Sequence, residues 1–202
     1  MCKLIEVEIK VKLSDPEKFR QEFEKQGGNY KLSLFHQDTY YNMPLGLRDF
    51  RNSDEALRIR KSIEYNKKEE SKKEINFYLT YKGAKLDRTT KTRKEIETVI
   101  RDGEKVMKIL EALGFRRVLT VEKDRELYEF YFHGKTIEVL LDFIPILNNH
   151  FIEVELQTER EENIEQTREI LFNFLKKFQI SKNESIRKSY LELILERMSE
   201  IE

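Results

Sequence analysis

Regular alternation of apolar and charged residues is the feature that most constrains what this chain can fold into. Residues 5–13 read IEVEIKVKL, where every second residue is apolar and the residues between are Glu6, Glu8, Lys10 and Lys12. Neighbouring side chains on a strand point to opposite faces, so a period of two predicts a strand with one apolar and one charged face. The charged face carries two carboxylates followed by two ammonium groups, and this arrangement needs an explanation.

The same alternation recurs along the chain and predicts eight strands. Their approximate ranges are 3–13, 34–43, 55–64, 73–82, 93–100, 120–132, 135–144 and 151–158. Periodic apolar stripes predict four amphipathic helices, at about 14–28, 102–114, 160–178 and 184–200. The stripe of the second helix consists of Val106, Ile109, Leu110 and Leu113. Because strands and helices interleave without a linker, we expect one domain over residues 1–202.

Two polar stretches are predicted to be mobile loops. NKKEESKKE, at 66–74, is a dense run of charges that is typical of a solvated hairpin tip. KGAKLDRTTKT, at 82–92, joins the fourth and fifth strands.

The charged faces of the strands carry both signs of charge in similar number. The basic members are Lys10, Lys12, Arg58, Arg60, Lys82, Arg93, Lys123 and Arg125. The acidic members are Glu6, Glu8, Glu95, Glu97, Glu138, Asp142, Glu153 and Glu155. For a single strand, the ordinary explanation is an antiparallel sheet with one face in water. For the whole set, four amphipathic helices need an apolar surface to pack on, and the apolar sheet face provides it.

Eight strands are enough to close a barrel. If the apolar face points outward beneath the helices, the charged face lines an internal tunnel. We therefore predict an α+β fold: an eight-stranded antiparallel closed β-barrel with a charged interior and helices packed outside. A buried lining of both signs is costly unless a ligand fills it. A polyphosphate with divalent cations fits, because Arg and Lys bind phosphate oxygens and carboxylates bind the metal.

Composition excludes several other classes of protein. The 38 basic and 38 acidic residues give zero net charge, so bulk attraction to nucleic acid or an anionic membrane is not expected. Cys2 is the one cysteine, which excludes a disulfide within the chain. No stretch approaches the ~20 apolar residues of a membrane span. We expect a soluble cytoplasmic protein. His36, His133 and His150 lack metal-ligand spacing, and His36 and His150 are expected at exposed strand ends.

The whole pattern resembles the CYTH superfamily, also called triphosphate tunnel metalloenzymes, in its class IV adenylyl cyclase and thiamine triphosphatase-like branch. The family's E-x-E-x-K signature on the first strand is similar to Glu6-Val7-Glu8-Ile9-Lys10. Supporting motifs span almost the whole chain. They are DTYYN (38–42), ALRIR (56–60), LTYKG (79–83), RKEIE (93–97), EKDRELY (122–128), LLDFIP (140–145), FIEVEL (151–156) and SYLELIL (189–195).

This resemblance implies roles for individual residues. It implies that Mg²⁺ or Mn²⁺ is held by Glu6, Glu8, Asp142, Glu153 and Glu155. It implies that the triphosphate is bound by Lys10, Arg58, Arg60, Lys82, Lys123, Arg125 and Lys188. Among these, Lys10, Glu8 and Glu155 are implied to be catalytic, with Lys10 touching phosphate or orienting a water. Further tunnel-lining residues are expected at Lys12, Arg93, Glu95, Glu97 and Glu138.

Two departures from the family pattern bear on function. LNNHF, before the eighth strand, stands where the family often has a glycine-containing turn. The bacterial cyclases carry an H-F-x-x-H stretch ahead of the first-strand acids, and the five residues before Glu6 contain no histidine. We therefore expect hydrolysis of a triphosphate (tripolyphosphate, a nucleoside triphosphate or thiamine triphosphate) rather than formation of cAMP from ATP.

Several alternatives stay open on the sequence. They are a class IV adenylyl cyclase, a non-catalytic module that binds polyphosphate or nucleotides, and a structural sheet with one wet charged face. A tunnel-type RNA 5′-triphosphatase is a further alternative, although zero net charge gives no support for extended RNA binding. The expected partner is a small-molecule triphosphate, and the chain is expected to be a monomer or a homodimer.

Overall fold

The computed structural model describes residues 5–66, 69–86 and 90–200, and its strands form a closed antiparallel barrel. The strands are β1 (Ile5–Leu13), β2 (Asn29–Asn42), β3 (Ala56–Asn66), β4 (Glu69–Lys85), β5 (Arg93–Ile100), β6 (Arg116–Phe132), β7 (Lys135–Ile144) and β8 (Asn149–Thr158). Around the barrel they run β1-β5-β4-β3-β2-β6-β7-β8, and β8 returns to pair with β1. The predicted α+β barrel is confirmed.

Four α-helices accompany the strands. They are α1 (Pro16–Lys25), α2 (Gly103–Ala112), α3 (Ile164–Lys176) and α4 (Tyr190–Ser199). The two C-terminal helices begin later than predicted. A 3₁₀ turn at Glu161–Asn163 precedes α3, and before α4 a 3₁₀ turn at Lys182–Glu184 is followed by Ser185 and Ile186, which pair with β1. A capping box fixes the start of α4: the Ser189 hydroxyl accepts from the Glu192 backbone N–H, and the Glu192 carboxylate accepts from that of Ser189. No helix in the described part of the chain is long and apolar enough to cross a membrane.

The apolar faces of the strands point outward and are covered by α1 and α3. Val7, Ile9 and Val11 of β1 are all buried in this outer core. Phe23 of α1 packs on Phe130 of β6, with ring centroids 5.5 Å apart. Because apolar surface is buried on the outside, the alternate residues of the same strands are directed into the barrel.

The second helix buries less than its apolar stripe predicts. Ile109 and Leu113 are 55% and 64% exposed. Within the described chain, α2 contacts the barrel mainly at β3 and β4. Gly103, its first residue, lies so close to the Phe77 ring that an added Cβ would sit 2.1 Å from it. The helix thus packs closely at its first turn, while Ile109 and Leu113, two of its four stripe residues, face solvent.

The polar stretches are more ordered than predicted. β3 runs to Asn66 and β4 begins at Glu69, so the strands extend into the predicted hairpin tip, whose residues 67–68 lie outside the described part. In the second stretch, residues 87–89 lie outside the described part. Thr90 and Thr92 are 1% and 0% exposed, so the end of this stretch belongs to the barrel wall rather than to a mobile loop.

One edge of β1 is completed by three separate segments. β5 pairs with its first two residues only. Farther along, the Glu8 carbonyl accepts a hydrogen bond from the backbone N–H of Lys91 at 3.1 Å. The Lys10 carbonyl accepts one from Ile186 at 2.7 Å. These bonds bring residues 90–92 and the chain before α4 next to the charged residues of β1.

Two local predictions need correction. β2 begins at Asn29, not near 34, so His36 lies within the strand and is 3% exposed rather than at an exposed end. Its Nε2 lies 3.0 Å from the Ser62 hydroxyl. The turn before β8 works without glycine because Asn148 adopts the left-handed conformation, with φ of 49°. Asn tolerates this region better than most residues.

Candidate active site

The charged side chains inside the barrel line one cavity of about 1250 Å³. Most residues predicted for the site line it. They are Glu6, Glu8, Arg58, Arg60, Lys82, Arg93, Glu95, Glu97, Lys123, Arg125, Glu138, Glu153 and Glu155. Their convergence follows from the alternation, since each strand contributes its charged face to the interior.

Three carboxylates form the acidic trio Glu6, Glu8 and Glu155. Glu8 of β1 is directly paired with Glu155 of β8, and one oxygen from each trio member lies within 4.8 Å of the other two. Burial and then Glu153 raise the pKa of Glu8 to about 7. Burial, Glu6 and Glu8 hold the pKa of Glu155 well above its usual range. Such a cluster favours a bound cation, and its oxygen-only donors suit Mg²⁺ or Mn²⁺.

The other two predicted metal ligands, Asp142 and Glu153, hold Arg125. Its guanidinium donates to both oxygens of Asp142, at 2.6 Å each, and to Glu153 at 2.5 Å. The Tyr190 hydroxyl also donates to Asp142, at 2.8 Å. The structure therefore divides the predicted ligands into the acidic trio and a pair that orients a cation.

Asp38 is a site residue that the sequence analysis missed. Arg60 donates to its two oxygens at 2.7 and 2.9 Å, and Arg58 lies 3.7 Å away. Although burial opposes it, Arg60 and then Arg58 hold the pKa of Asp38 well below its usual value. Asp38 stands two residues before Tyr40 in DTYYN, so alternation along β2 could have placed both on the interior face.

Lys10 is fully buried beside α4. Its ammonium lies 3.3 Å from Glu153 and 3.4 Å from the centre of the Tyr190 ring, and it donates to the Lys188 carbonyl at 3.1 Å. Burial, followed by the nearby Lys91 ammonium, lowers the pKa of Lys10 to about 7.

Lys91 is the second residue that the sequence analysis missed. Its ammonium donates to Glu8 and, at 2.8 Å, to Glu153. Burial opposes the charge, but Glu153 and Glu8 raise the pKa of Lys91. The signal was present in KTRKEIE, because Lys91 continues the alternation of Arg93 and the glutamates that follow it.

The remaining predicted cations also have acidic or polar neighbours. Lys82 donates to Glu95, and Arg58 donates to Glu97 at 3.2 Å. Lys123 is 3% exposed, and burial and then Arg125 lower its pKa to about 7. The cavity therefore contains cationic side chains that can exchange their carboxylate partners for the oxygens of an anionic ligand.

Four predicted residues are not part of the cavity lining. Lys10 and Asp142 are buried against the lining residues Glu153 and Arg125, whereas Lys188 and Lys12 lie at the surface. The Lys188 side chain is 53% exposed and pairs with Glu196 at 2.7 Å, so only its carbonyl contacts a site residue. α4 begins just beyond it, and this directs Tyr190 rather than Lys188 into the barrel. Lys12 is exposed, because it lies near the end of β1 beyond the cavity.

Apolar and aromatic side chains form a further part of the lining. They include Tyr40, Phe50, Ala56, Val118, Leu191 and Leu195. A lining that combines charged and apolar groups can accept a ligand with an organic part as well as phosphates.

Comparisons with known proteins agree with this architecture. Residues 4–190 match the family model described as CYTH domain. A Methanocaldococcus jannaschii protein named "Putative adenylate cyclase MJ0240" is 40% identical over 191 residues, which cover 94% of this chain and 98% of the relative.

Solved structures agree as well. The PH1819 protein of Pyrococcus horikoshii OT3 is 35% identical and superposes with a TM-score of 0.80, covering 95% of this chain and 99% of the other. HpAC1 from Hippeastrum, described as a "putative adenylyl cyclase" with a dominant triphosphatase activity, is 19% identical with a TM-score of 0.62, covering 95% and 96%. The second likeness concerns the fold alone. The chain belongs to the CYTH domain family.

Proposed function

We propose that this protein is a divalent-metal-dependent enzyme that hydrolyses a triphosphate held inside the barrel. The observation that carries the proposal is the shared cavity, in which buried Arg and Lys side chains stand beside the acidic trio. Phosphoryl transfer needs positioning and neutralisation of spread negative charge, and this set of residues offers both.

The basic residues form the proposed triphosphate clamp. It consists of Lys10, Arg58, Arg60, Lys82, Lys123 and Arg125. Arg60 and Arg125 each already make two parallel bonds to one carboxylate, the geometry with which guanidinium groups also bind phosphate. Asp38 and Asp142 fix the orientation of these two guanidinium groups, and phosphate oxygens would join or replace the carboxylates as acceptors.

The acidic trio would hold Mg²⁺ or Mn²⁺. A metal held there would supply neutralising positive charge and a more acidic water. Lys10, at the end of the E-x-E-x-K signature, touches phosphate or orients the attacking water from its buried position. Tyr190 packs over Lys10 and limits the directions in which the ammonium can point.

A second candidate is adenylyl cyclase activity on ATP. The name of the Methanocaldococcus jannaschii relative favours it. The same clamp would bind the three phosphates while the ribose 3′-hydroxyl attacks the α-phosphorus. The apolar part of the lining is compatible with ATP or thiamine triphosphate as well as tripolyphosphate.

Product analysis tests the proposal. The purified protein is incubated with tripolyphosphate, ATP or thiamine triphosphate and either Mg²⁺ or Mn²⁺, and phosphate, pyrophosphate and cAMP are measured. We expect phosphate release from at least one substrate. Formation of cAMP and pyrophosphate from ATP, without phosphate release from any compound, would contradict hydrolysis and identify the protein as an adenylyl cyclase. Tight binding of a triphosphate without turnover would indicate a non-catalytic binding module instead of an enzyme.

Matched arginine variants connect the activity to the cavity. Arg125→Met should lower kcat/KM by at least about a hundredfold, since it removes a buried cation of the proposed clamp and its charge-assisted hydrogen bonds. Arg160→Met is the control, because the Arg160 side chain is 73% exposed and pairs with Glu162 on the surface. Equal activity of the two variants would contradict the proposed site.

A further inference from the structure

Lys91 contacts the acidic trio directly. Its ammonium donates to Glu8, a trio member, and to Glu153 at 2.8 Å, and its side chain is 11% exposed. A positive charge held on Glu8 occupies an oxygen that the proposed metal also needs. Two cations that share one carboxylate repel each other, so the ammonium and a divalent ion compete.

The backbone keeps Lys91 at this place. Its N–H donates to the Glu8 carbonyl at 3.1 Å, and the neighbouring Thr90 and Thr92 are both buried, with their hydroxyl oxygens 2.7 Å apart. The ammonium therefore extends from a fixed point of the barrel wall on a flexible four-carbon stem. A change of side-chain rotamer can move it without moving the wall.

The alternative protein partner for Lys91 is already occupied. Glu153, its other carboxylate, also lies 3.3 Å from Lys10 and accepts from Arg125 at 2.5 Å. If a metal takes Glu8, the ammonium groups of Lys91 and Lys10 share Glu153, which also accepts from Arg125, and only Arg125 keeps a second carboxylate, Asp142. A polyanion in the same cavity removes this imbalance, because its oxygens can accept from the displaced ammonium.

We propose that Lys91 couples metal binding to triphosphate binding: it competes with the metal for Glu8 until a triphosphate accepts its ammonium. The inference rests on the proposed function, since it takes the acidic trio as the metal site. Lys91 is then a positioning residue that makes each ligand favour the other. Reciprocity of the coupling follows from thermodynamic linkage.

Two binding measurements without turnover test this coupling. The first follows free Mn²⁺ by electron paramagnetic resonance during titration of the protein without triphosphate. Lys91→Met should bind Mn²⁺ about 10-fold more tightly than the unchanged protein, a factor in the ordinary range of coupling between sites. The second measures tripolyphosphate binding by calorimetry in EDTA, where Lys91→Met should bind more weakly by a similar factor.

Further variants make the outcome specific. Lys91→Arg keeps the charge and should retain weak Mn²⁺ binding, whereas Lys91→Gln is a second neutral variant should Lys91→Met not fold. Lys94→Met is the control, because Lys94 is 44% exposed and pairs with Glu161. Adding Glu8→Gln to Lys91→Met should abolish the gain in Mn²⁺ affinity.

The outcomes separate the coupling from the function on which it rests. If the unchanged protein binds both ligands and the neutral Lys91 variants bind Mn²⁺ no more tightly, the coupling is wrong while the proposed function stands. If neither the unchanged protein nor any Lys91 variant binds Mn²⁺ or tripolyphosphate, the proposed function itself fails, and the coupling fails with it.

Discussion

At the scale of single residues, the buried Asp38 carboxylate should contribute strongly to stability. It neutralises Arg60 through two hydrogen bonds and lies near Arg58, and its side chain is 3% exposed. Breaking a buried pair leaves uncompensated charge and typically costs about 3–5 kcal/mol. We expect Asp38→Asn to lower the free energy of unfolding in urea by this amount.

Tripolyphosphate should restore part of the stability lost in Asp38→Asn, because it offers the two guanidinium groups another anion. The control is Glu122→Gln, an exposed residue that accepts a hydrogen bond from Gln37. An unfolding midpoint equal to that of the unchanged protein would contradict the role of Asp38.

His36 should make stability depend on pH. Burial, and then Arg60 and Lys123, lower the pKa of His36 far below its ordinary value, so the folded protein keeps it neutral where the unfolded chain binds a proton. The contribution of neutral His36 to the free energy of unfolding is therefore complete above the unfolded pKa of about 6.5. Below that pH it falls by about 1.4 kcal/mol per pH unit.

Replacing His36 should remove this part of the pH dependence. His36→Gln, which can still bond Ser62, should show a smaller loss of unfolding free energy between pH 6.5 and 5 than the unchanged protein. His133→Asn is the control, since His133 is exposed and in the left-handed conformation, which Asn tolerates. Parallel pH curves for His36→Gln and the unchanged protein would exclude this role.

Membership of the charged face was predictable from sequence, but pairing within it was not. Alternation assigned Arg125, Glu153 and Glu155 to one interior face, because it depends only on local geometry. Which carboxylate meets a metal and which meets an arginine depends on strand register and on contacts between distant segments. Asp142 was therefore grouped with the acidic trio, although Arg125 and Tyr190 hold it.

At the scale of elements, the turn before β8 depends on Asn148. A left-handed conformation costs a residue with a side chain about 1–2 kcal/mol, and Asn pays less of this than Ala. We expect Asn148→Ala to lower the free energy of unfolding by about 1 kcal/mol. Asn148→Gly, the matched variant, should leave it unchanged or raise it slightly. Equal losses in both variants would show that the side chain, not the backbone conformation, matters.

Element types were predicted better than element limits. All eight strands and four helices were expected, since long periodic patterns report type well. β2 and β6 start earlier than predicted, and β4 runs longer at both ends. Pairing with a neighbouring strand extends a strand into polar sequence, and a single sequence does not reveal that neighbour. The same holds for the α2 stripe: the sequence shows an apolar face, but not how much of that face packs on the barrel.

At the scale of the whole molecule, ligand binding should stabilise the barrel as one unit. The proposed clamp takes residues from β1, β3, β4 and β6, so a triphosphate connects strands all around the cavity. A ligand present at a hundred times its Kd adds about 2.7 kcal/mol. For a chain of this length, we expect tripolyphosphate to raise Tm by about 5–10 °C.

Differential scanning calorimetry with and without the ligand measures this rise. Monophosphate at the same concentration should have a much smaller effect, because it reaches fewer of the cations. Arg125→Met should lose most of the tripolyphosphate effect and Arg160→Met none of it. A Tm that does not respond to tripolyphosphate in the unchanged protein would contradict binding inside the barrel.

The pairing of β1 with β8 has a consequence for how the chain is made. These strands join over nine residue pairs, from Ile5–Thr158 to Leu13–His150, although more than a hundred residues separate them in the sequence. A ribosome adds about 5–20 residues per second, so β1 would wait about 10–30 s for the partner that closes the barrel. Throughout that interval the strand exposes an unpaired edge and an apolar face, and its carboxylates stay in water. These charges therefore become buried late in the synthesis of each chain. A chaperone that binds growing chains should have its largest effect before residue 158 emerges from the ribosome.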